Sequence, residues 1–99
     1  MLYRIEYARD TESHLQALSA RQRATVADHI DEQLADQPAV ETRNRKPMRP
    51  NPLAPWELRI GNLRVYYDIE EQPVKLVTIV AVGIKDRNRV LIGGKEVEL

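Results

Sequence analysis

Arg59 and Arg64 are the residues of this sequence whose type and spacing best suit chemistry on an anion. Residues 56–60 and 63–69 each alternate apolar and polar side chains, and Gly61-Asn62 between them is a two-residue turn signal. In the hairpin that this pattern predicts, Arg59 stands directly opposite Arg64. Like charges in that position destabilise a sheet, so folding alone gives little reason to choose them. An anion bound between the two guanidinium groups would replace their mutual repulsion with attraction to the anion.

Three further side chains belong to this candidate anion site. Lys85 follows an apolar strand predicted at residues 74–82, and it reaches the same end of the sheet if that strand pairs beside residues 63–69. Tyr66 falls on the face of Arg59, where it is either placed to stack on a base or is an ordinary surface tyrosine. Glu57 lies diagonal to Arg64, and in the competing interpretation it simply neutralises the arginine pair.

Composition removes most other chemistries. The 99 residues contain no cysteine, which excludes disulfides, thiolate zinc sites and thiol nucleophiles. His14 and His29 are fifteen positions apart, form no metal-ligand cluster, and are interpreted as surface residues. No serine has a histidine and an acid in a recognisable order, and Gly93-Gly94-Lys95 is too short for a phosphate loop. Two possibilities remain: phosphoryl chemistry that uses cationic side chains without a metal ion, or binding of a partner without catalysis.

Short elements are predicted to position these cations. Residues 3–7 alternate like a half-buried strand. Thr11 is predicted to cap a first helix, and Ser19 with Gln22 fits the capping box of a second one. The second helix ends before Pro38 and carries an apolar stripe of Val26, Ile30 and Leu34. The two helices are predicted to form a hairpin packed on a sheet.

A basic, proline-rich stretch separates the helices from the hairpin. Residues 37–55 hold five of the six prolines, so they are predicted to form a loop without regular structure. The balanced total of 15 basic and 15 acidic side chains hides a basic middle third, to which the loop contributes Arg43, Arg45, Lys46 and Arg49. Such a run fits an anionic partner or is a solvated loop. The predicted fold is one α+β domain over residues 1–99, with no structure assigned beyond about residue 87.

The stretch WELRIGNLRVYY at 56–67, together with VGIKD at 82–86, resembles the RelE/ParE toxin superfamily of bacterial type II toxin–antitoxin modules. The resemblance covers most of residues 3–87. It implies the RelE-like fold, in which an N-terminal strand and a two-helix hairpin precede an antiparallel sheet. It also implies an mRNA endonuclease that acts in the ribosome without metal or cofactor, through attack of a ribose 2′-hydroxyl on the adjacent phosphate. The implied partners are a cognate antitoxin, the ribosome and mRNA.

The resemblance assigns roles to individual residues. Arg64 matches the arginine that stabilises the transition state, Arg59 matches a basic residue that aids base chemistry, and Lys85 stands near an arginine that serves as general acid. Glu57 departs from the pattern because the founding type has lysine there, and Leu91 falls near the place of an active-site tyrosine. The side chains expected to contact RNA are Arg43, Arg45, Lys46, Arg49, Tyr66 and Arg87.

Two other functions remain open at this point. Glu57 and the missing tyrosine somewhat favour a ParE-like toxin that binds DNA gyrase without nuclease activity, and a degenerate, non-toxic member is the third possibility. The sequence shows no signal peptide, and its longest apolar run, residues 76–84, is half of a membrane span. We therefore expect a cytoplasmic protein without a membrane partner, either as a homo-oligomer or in a toxin–antitoxin hetero-oligomer.

Overall fold

A computed structural model describes residues 2–98. One strand and two helices come first, and a series of strands follows: β1 Arg4–Tyr7, α1 Thr11–Gln16, α2 Ala20–Leu34, β2 Arg45–Pro47, β3 Trp56–Ile60, β4 Leu63–Glu70, β5 Leu76–Asp86, β6 Arg89–Ile92 and β7 Lys95–Val97. This order confirms the predicted α+β fold. Neither helix is long and apolar enough to cross a lipid bilayer.

The strands form one sheet in the order β2-β3-β4-β5-β6-β7. Each neighbouring pair in this order is antiparallel. The long strand β5 pairs with two different strands along the same edge. β1 runs parallel to its residues 76–79, and β6 runs antiparallel to its residues 83–86. β5 is therefore the central strand, as its apolar composition predicts.

The β3–β4 hairpin has the predicted register. Arg59 pairs with Arg64 across the ladder, and Glu57 pairs with Tyr66. Gly61 in the connecting turn has φ of 58°, which glycine adopts without steric cost, and glycine at the first central position is typical of a type II′ hairpin turn. β4 also pairs with β5, which sets Arg64 beside Gly83. The predicted pairing that brings Lys85 to this end of the sheet is confirmed.

The helices cover one face of the sheet. The apolar stripe of α2 is buried, as predicted, against inward-facing side chains of the strands, among them Leu58, Val65, Tyr67, Val77 and Ile79. The capping box is also confirmed: Gln22 N donates to Ser19 Oγ at 3.1 Å, and Ser19 N donates to Gln22 Oε1 at 2.9 Å. Thr11 was wrongly predicted as the cap of α1. It is the first helical residue, and its hydroxyl donates to Ala8 O at 2.6 Å.

The opposite face carries a second, smaller apolar cluster. Its buried members are Ala54, Tyr66, Ala81 and Ile92, and partly buried Met48, Leu53, Val80, Val90 and Val97 pack against them. Two segments thus cover part of this face: residues 48–55 and the tail hairpin, which we define as β6 and β7. The sequence assigned no structure to the tail, and only the folded chain shows that it lies against the sheet.

Two local predictions are corrected. β2 lies within the stretch predicted to lack regular structure, because a strand at the edge of a sheet tolerates the missing N–H of Pro47. His14 is half-buried rather than a surface residue, since Val82 N donates to its Nδ1 at 3.4 Å. His29 is also half-buried, and its Nδ1 has no hydrogen-bond partner among the described residues.

Candidate functional site

An open cleft lies on the sheet face that the helices leave uncovered. One of its cavities has a volume of about 520 Å³ and is lined by Arg59, Arg64 and Lys85, the three cations that were predicted to lie together. A neighbouring cavity of about 660 Å³ shares Arg59 and Lys85 and adds Lys46 and Arg49. We call the two together the cationic cleft, because their charged lining comprises six basic and three acidic side chains: Lys46, Arg49, Arg59, Arg64, Lys85, Arg89, Glu57, Glu96 and Glu98.

Arg59 is held from two sides. Its backbone N–H donates to Asn44 O at 2.8 Å, and its carbonyl accepts from Asn44 Nδ2 at 3.0 Å. Its Nε donates to Glu57 Oε1 at 2.6 Å, a short charge-assisted hydrogen bond. The Arg59 side chain is nevertheless 50% exposed, whereas that of Glu57 is 13% exposed. Glu57 therefore forms an ion pair with one member of the arginine pair, as the competing interpretation predicts, and that member is Arg59.

Arg64 has different partners. Its Nη1 donates to Gly61 O at 2.7 Å and to Leu63 O at 2.8 Å, so the turn of its own hairpin fixes the guanidinium. None of the carboxylates described lies within 4.0 Å of Arg64 or Lys85. Arginine carries five N–H donors, and only Nη1 is used within residues 2–98. Arg64 and Lys85 thus supply positive charge that no carboxylate of the described chain neutralises.

Tyr66 does not occupy the predicted exposed position. It lies on the cleft side of the sheet, but its side chain is fully buried beneath the second apolar cluster. A buried ring cannot stack on a base, so that prediction is wrong. Burial raises the pKa of Tyr66 well above its ordinary value, and the negative charge of Glu57 raises it further. The hydroxyl is therefore protonated at neutral pH, and it has no hydrogen-bond partner among the residues described.

Arg45 was also wrongly predicted to contact RNA. It is only 9% exposed. Its Nη1 donates to Gln33 O at 2.8 Å and to Gln33 Oε1 at 3.1 Å, and its Nε donates to Val40 O at 2.9 Å. These bonds tie the last turn of α2 and the loop after it to β2. The guanidinium is structural because it serves a carbonyl at the helix end, where intrahelical donors run out, and a carbonyl of the loop.

The other expected RNA contacts are dispersed. Lys46 and Arg49 line the cleft, and Lys46 Nζ lies 3.4 Å from Glu41 Oε2. Arg43 is exposed but lines neither cavity of the cleft. Arg87 is exposed in the turn between β5 and β6, where its φ of 59° is in the left-handed region, and it lies outside the cleft.

The tail hairpin makes a contribution to the cleft that was not predicted from the sequence. Arg89 and Glu96 of this hairpin, with Glu98 directly after it, line the cavity of about 520 Å³. Arg89 Nη2 lies 2.9 Å from Asp86 Oδ2, and its Nη1 lies 3.6 Å from Glu96 Oε1. Gly93-Gly94 between two short alternating stretches was the available hairpin signal, and both glycines have positive φ. Among the residues described, no group of three or more His, Asp or Glu side chains is arranged to hold a metal ion.

Comparison with known proteins identifies the fold. No family model and no curated protein matches the chain by sequence. Among solved structures, the chain is similar to a chain of the toxin–antitoxin complex RelBE2 from Mycobacterium tuberculosis, with 24% identity and a TM-score of 0.73. The match covers 86% of this chain and all of the other one (100%). The protein therefore has the RelE-like α+β fold that its sequence resemblance predicted.

Proposed function

We propose that this protein is the toxin of a type II toxin–antitoxin module and that it cleaves mRNA in the ribosome without a metal ion. The observation that carries the proposal is the pairing of Arg59 with Arg64 beside Lys85 in one open cleft, where no carboxylate of residues 2–98 forms an ion pair with Arg64 or Lys85. A cleft of this charge suits the phosphate backbone of a polynucleotide, which dominates the affinity of nucleic-acid binding.

In the proposed reaction the scissile phosphate lies between the two arginines. Guanidinium groups present planar donors that match phosphate oxygens. Arg64 is already fixed by the carbonyls of its own turn, so its remaining donors are aimed before substrate arrives. Preorganised donors stabilise negative charge that develops in the transition state, and this is commonly the largest single contribution to catalysis. Arg64 therefore keeps the role that the resemblance implies.

Glu57 and Lys85 suit the two proton transfers. Arginine cannot accept a proton in proteins, so Arg59 cannot itself be the base. Glu57 lines the cleft beside the arginine pair, and we assign it the role of accepting the proton of the 2′-hydroxyl. The 2′-oxygen then forms a bond to phosphorus while the bond from phosphorus to the 5′-oxygen breaks, and Lys85 gives a proton to that leaving oxygen. The products are a 2′,3′-cyclic phosphate and a 5′-hydroxyl.

The proposed partners follow from the same argument. The similar solved structure is that of a toxin–antitoxin complex, which supports a cognate antitoxin as the partner of this chain. The ribosome and mRNA follow from the proposed nuclease activity, and both place the protein in the cytoplasm. Lys46 and Arg49 extend the cleft and are proposed to contact the flanking RNA.

A ParE-like gyrase-binding toxin is the second candidate. It is favoured by the ion pair between Glu57 and Arg59, which reduces the charge available for RNA, and by Glu96 and Glu98 at the edge of the cleft. Under this alternative the cleft has no catalytic role. A supercoiling assay with purified gyrase separates the two candidates, because inhibition without RNA cleavage belongs only to the second.

The deciding experiment incubates the protein with programmed ribosomes and maps mRNA ends by reverse transcription. We expect cuts at the codon in the A site, and we expect Arg64→Ala to reduce cleavage about 100-fold or more. The melting temperature of that variant should stay close to wild type, because its bonds are at a partly exposed turn. Intact mRNA with the wild-type protein would contradict the proposal.

A further inference from the structure

The hydroxyl of Tyr66 is the polar group of this fold that the proposed reaction leaves unexplained. The residue has 0% exposure, and its oxygen has no hydrogen-bond partner within residues 2–98. Buried hydroxyl groups are nearly always hydrogen-bonded, since an unsatisfied one costs free energy. A donor without a well-formed hydrogen bond on the cleft side of the sheet therefore points to a partner that it engages more closely in another state of the protein.

The sheet register identifies that partner. Glu57 is directly opposite Tyr66 in the β3–β4 ladder, so both side chains lie on the cleft side of the sheet. Among the described side chains, Arg59 is the one that donates to the Glu57 carboxylate with full hydrogen-bond geometry, and an ionised carboxylate accepts several hydrogen bonds. After burial, the negative charge of Glu57 is the largest influence that raises the pKa of Tyr66, and a hydrogen-bonding interaction between the two side chains also raises it, so the two groups already lie close together. The hydroxyl therefore remains a donor at neutral pH.

We propose that Glu57 exchanges partners when a phosphate enters the cleft, leaving Arg59 and accepting a hydrogen bond from the buried hydroxyl of Tyr66. This inference rests on the proposed function, because it requires a phosphate at the arginine pair. In the free protein Arg59 is neutralised by Glu57, and the Tyr66 hydroxyl has no hydrogen bond of full geometry to any group of residues 2–98. In the occupied protein Arg59 binds the phosphate, and Glu57 is retained by Tyr66.

The exchange removes a conflict in the proposed mechanism. A phosphate and the Glu57 carboxylate are both anions, and both would compete for Arg59. If Glu57 simply left Arg59, it would lose its charge-assisted bond and the position from which it reaches the 2′-hydroxyl. A hydrogen bond from Tyr66 compensates for that loss and holds the carboxylate at the floor of the cleft. Tyr66 is thus a positioning residue that acts through Glu57 and does not touch the substrate.

Tyr66→Phe tests this exchange in the full chain. Phenylalanine keeps the buried ring and removes only the hydroxyl, so we expect the variant to fold. The probe is inorganic phosphate, and the readout is the carbon-13 shift of the Glu57 carboxyl group by NMR. We expect phosphate to move this signal in the wild type, and we expect the movement to be lost in Tyr66→Phe with affinity at least about 10-fold weaker, as for one hydrogen bond to a charged group.

Tyr67→Phe is the matched control. The hydroxyl of Tyr67 donates to Pro38 O at 2.8 Å on the helix-covered side of the sheet, away from the cleft. Its removal should lower stability and leave the phosphate response of Glu57 unchanged. A measurement on the wild type needs no variant: the carbon-13 shift of Tyr66 Cζ should also move when phosphate binds.

The outcomes separate the two proposals. If phosphate binds and Glu57 responds equally in wild type and Tyr66→Phe, the exchange is wrong and the proposed function survives. The same conclusion follows if the Tyr66 Cζ signal is unmoved at saturating phosphate. If the wild type binds neither phosphate nor a 2′-O-methyl RNA oligonucleotide, the proposed function fails and the exchange fails with it.

Discussion

Arg59 and Arg64 are paired across the β3–β4 ladder, yet different partners hold their side chains: Glu57 for Arg59, and the carbonyls of Gly61 and Leu63 for Arg64. The repulsion of two opposed cations is thereby reduced without closing the cleft between them. A pure folding requirement would be met by any neutral pair at these positions. The arrangement instead keeps two guanidinium groups beside one cavity, which is the property that the proposed function uses.

Glu57→Gln should separate RNA binding from RNA cleavage. The amide cannot accept the proton of the 2′-hydroxyl, so we expect the cleavage rate at saturating RNA to fall about 100-fold. Removing the negative charge also releases Arg59, so RNA should bind at least as tightly as it does to the wild type. Single-turnover cleavage and binding to 2′-O-methyl RNA measure the two effects. A variant that cleaves at the wild-type rate would show that Glu57 only neutralises Arg59.

Lys85→Ala should lower the salt dependence of RNA binding. Each phosphate contact to single-stranded nucleic acid contributes about 0.7 to the slope of log affinity against log salt concentration. Loss of one contact should therefore reduce that slope by about 0.7. Lys95→Ala is the control, because Lys95 is exposed on β7 and lines neither cavity of the cleft. Equal slopes for all three proteins would remove Lys85 from the RNA interface.

Arg45→Met should destabilise the fold rather than weaken RNA contacts directly. The substitution leaves Gln33 O and Val40 O without the buried donor that serves them. Bonds from a charged group are each worth more than neutral ones, so we expect a loss of about 2–4 kcal/mol in the free energy of unfolding. Urea denaturation measures it. Arg43→Ala, an exposed change in the same segment, should stay within about 0.5 kcal/mol of wild type.

Acid should weaken the fold through His14. Burial lowers the pKa of His14, and the opposing effect of Asp10 is smaller. The unfolded chain therefore binds more protons at this residue than the folded chain does, so its contribution to stability is lost as pH falls through the ordinary histidine pKa of about 6.5. Protonation also removes the acceptor for Val82 N–H. Urea denaturation between about pH 7 and pH 5 should show a steeper loss for wild type than for His14→Gln. Parallel curves would contradict this prediction.

Local patterns were sufficient for the hairpin that carries the arginine pair. Side chains alternate between faces with period two, and a two-residue turn fixes which positions are opposite, so the register of Arg59 with Arg64 follows from adjacent residues alone. The capping box and the apolar stripe of α2 are equally local. These features need no knowledge of distant segments.

Burial on the cleft side could not be predicted in that way. Alternation assigns Tyr66 to a face of the sheet, but segments far away in the chain decide whether that face is covered. Residues 48–55 and the tail hairpin bury Tyr66, and the segment after α2 buries Arg45. None of these three segments has a strong periodic pattern of its own.

The sequence by itself therefore determined the order of the elements, the hairpin register and the face on which the cations lie. The tertiary structure alone decided which of these side chains reach the cleft, that Glu57 binds Arg59, and that Tyr66 lies buried. The physical reason is that backbone periodicity is set by near neighbours, whereas solvent exposure depends on packing between segments that the chain brings together only when it folds.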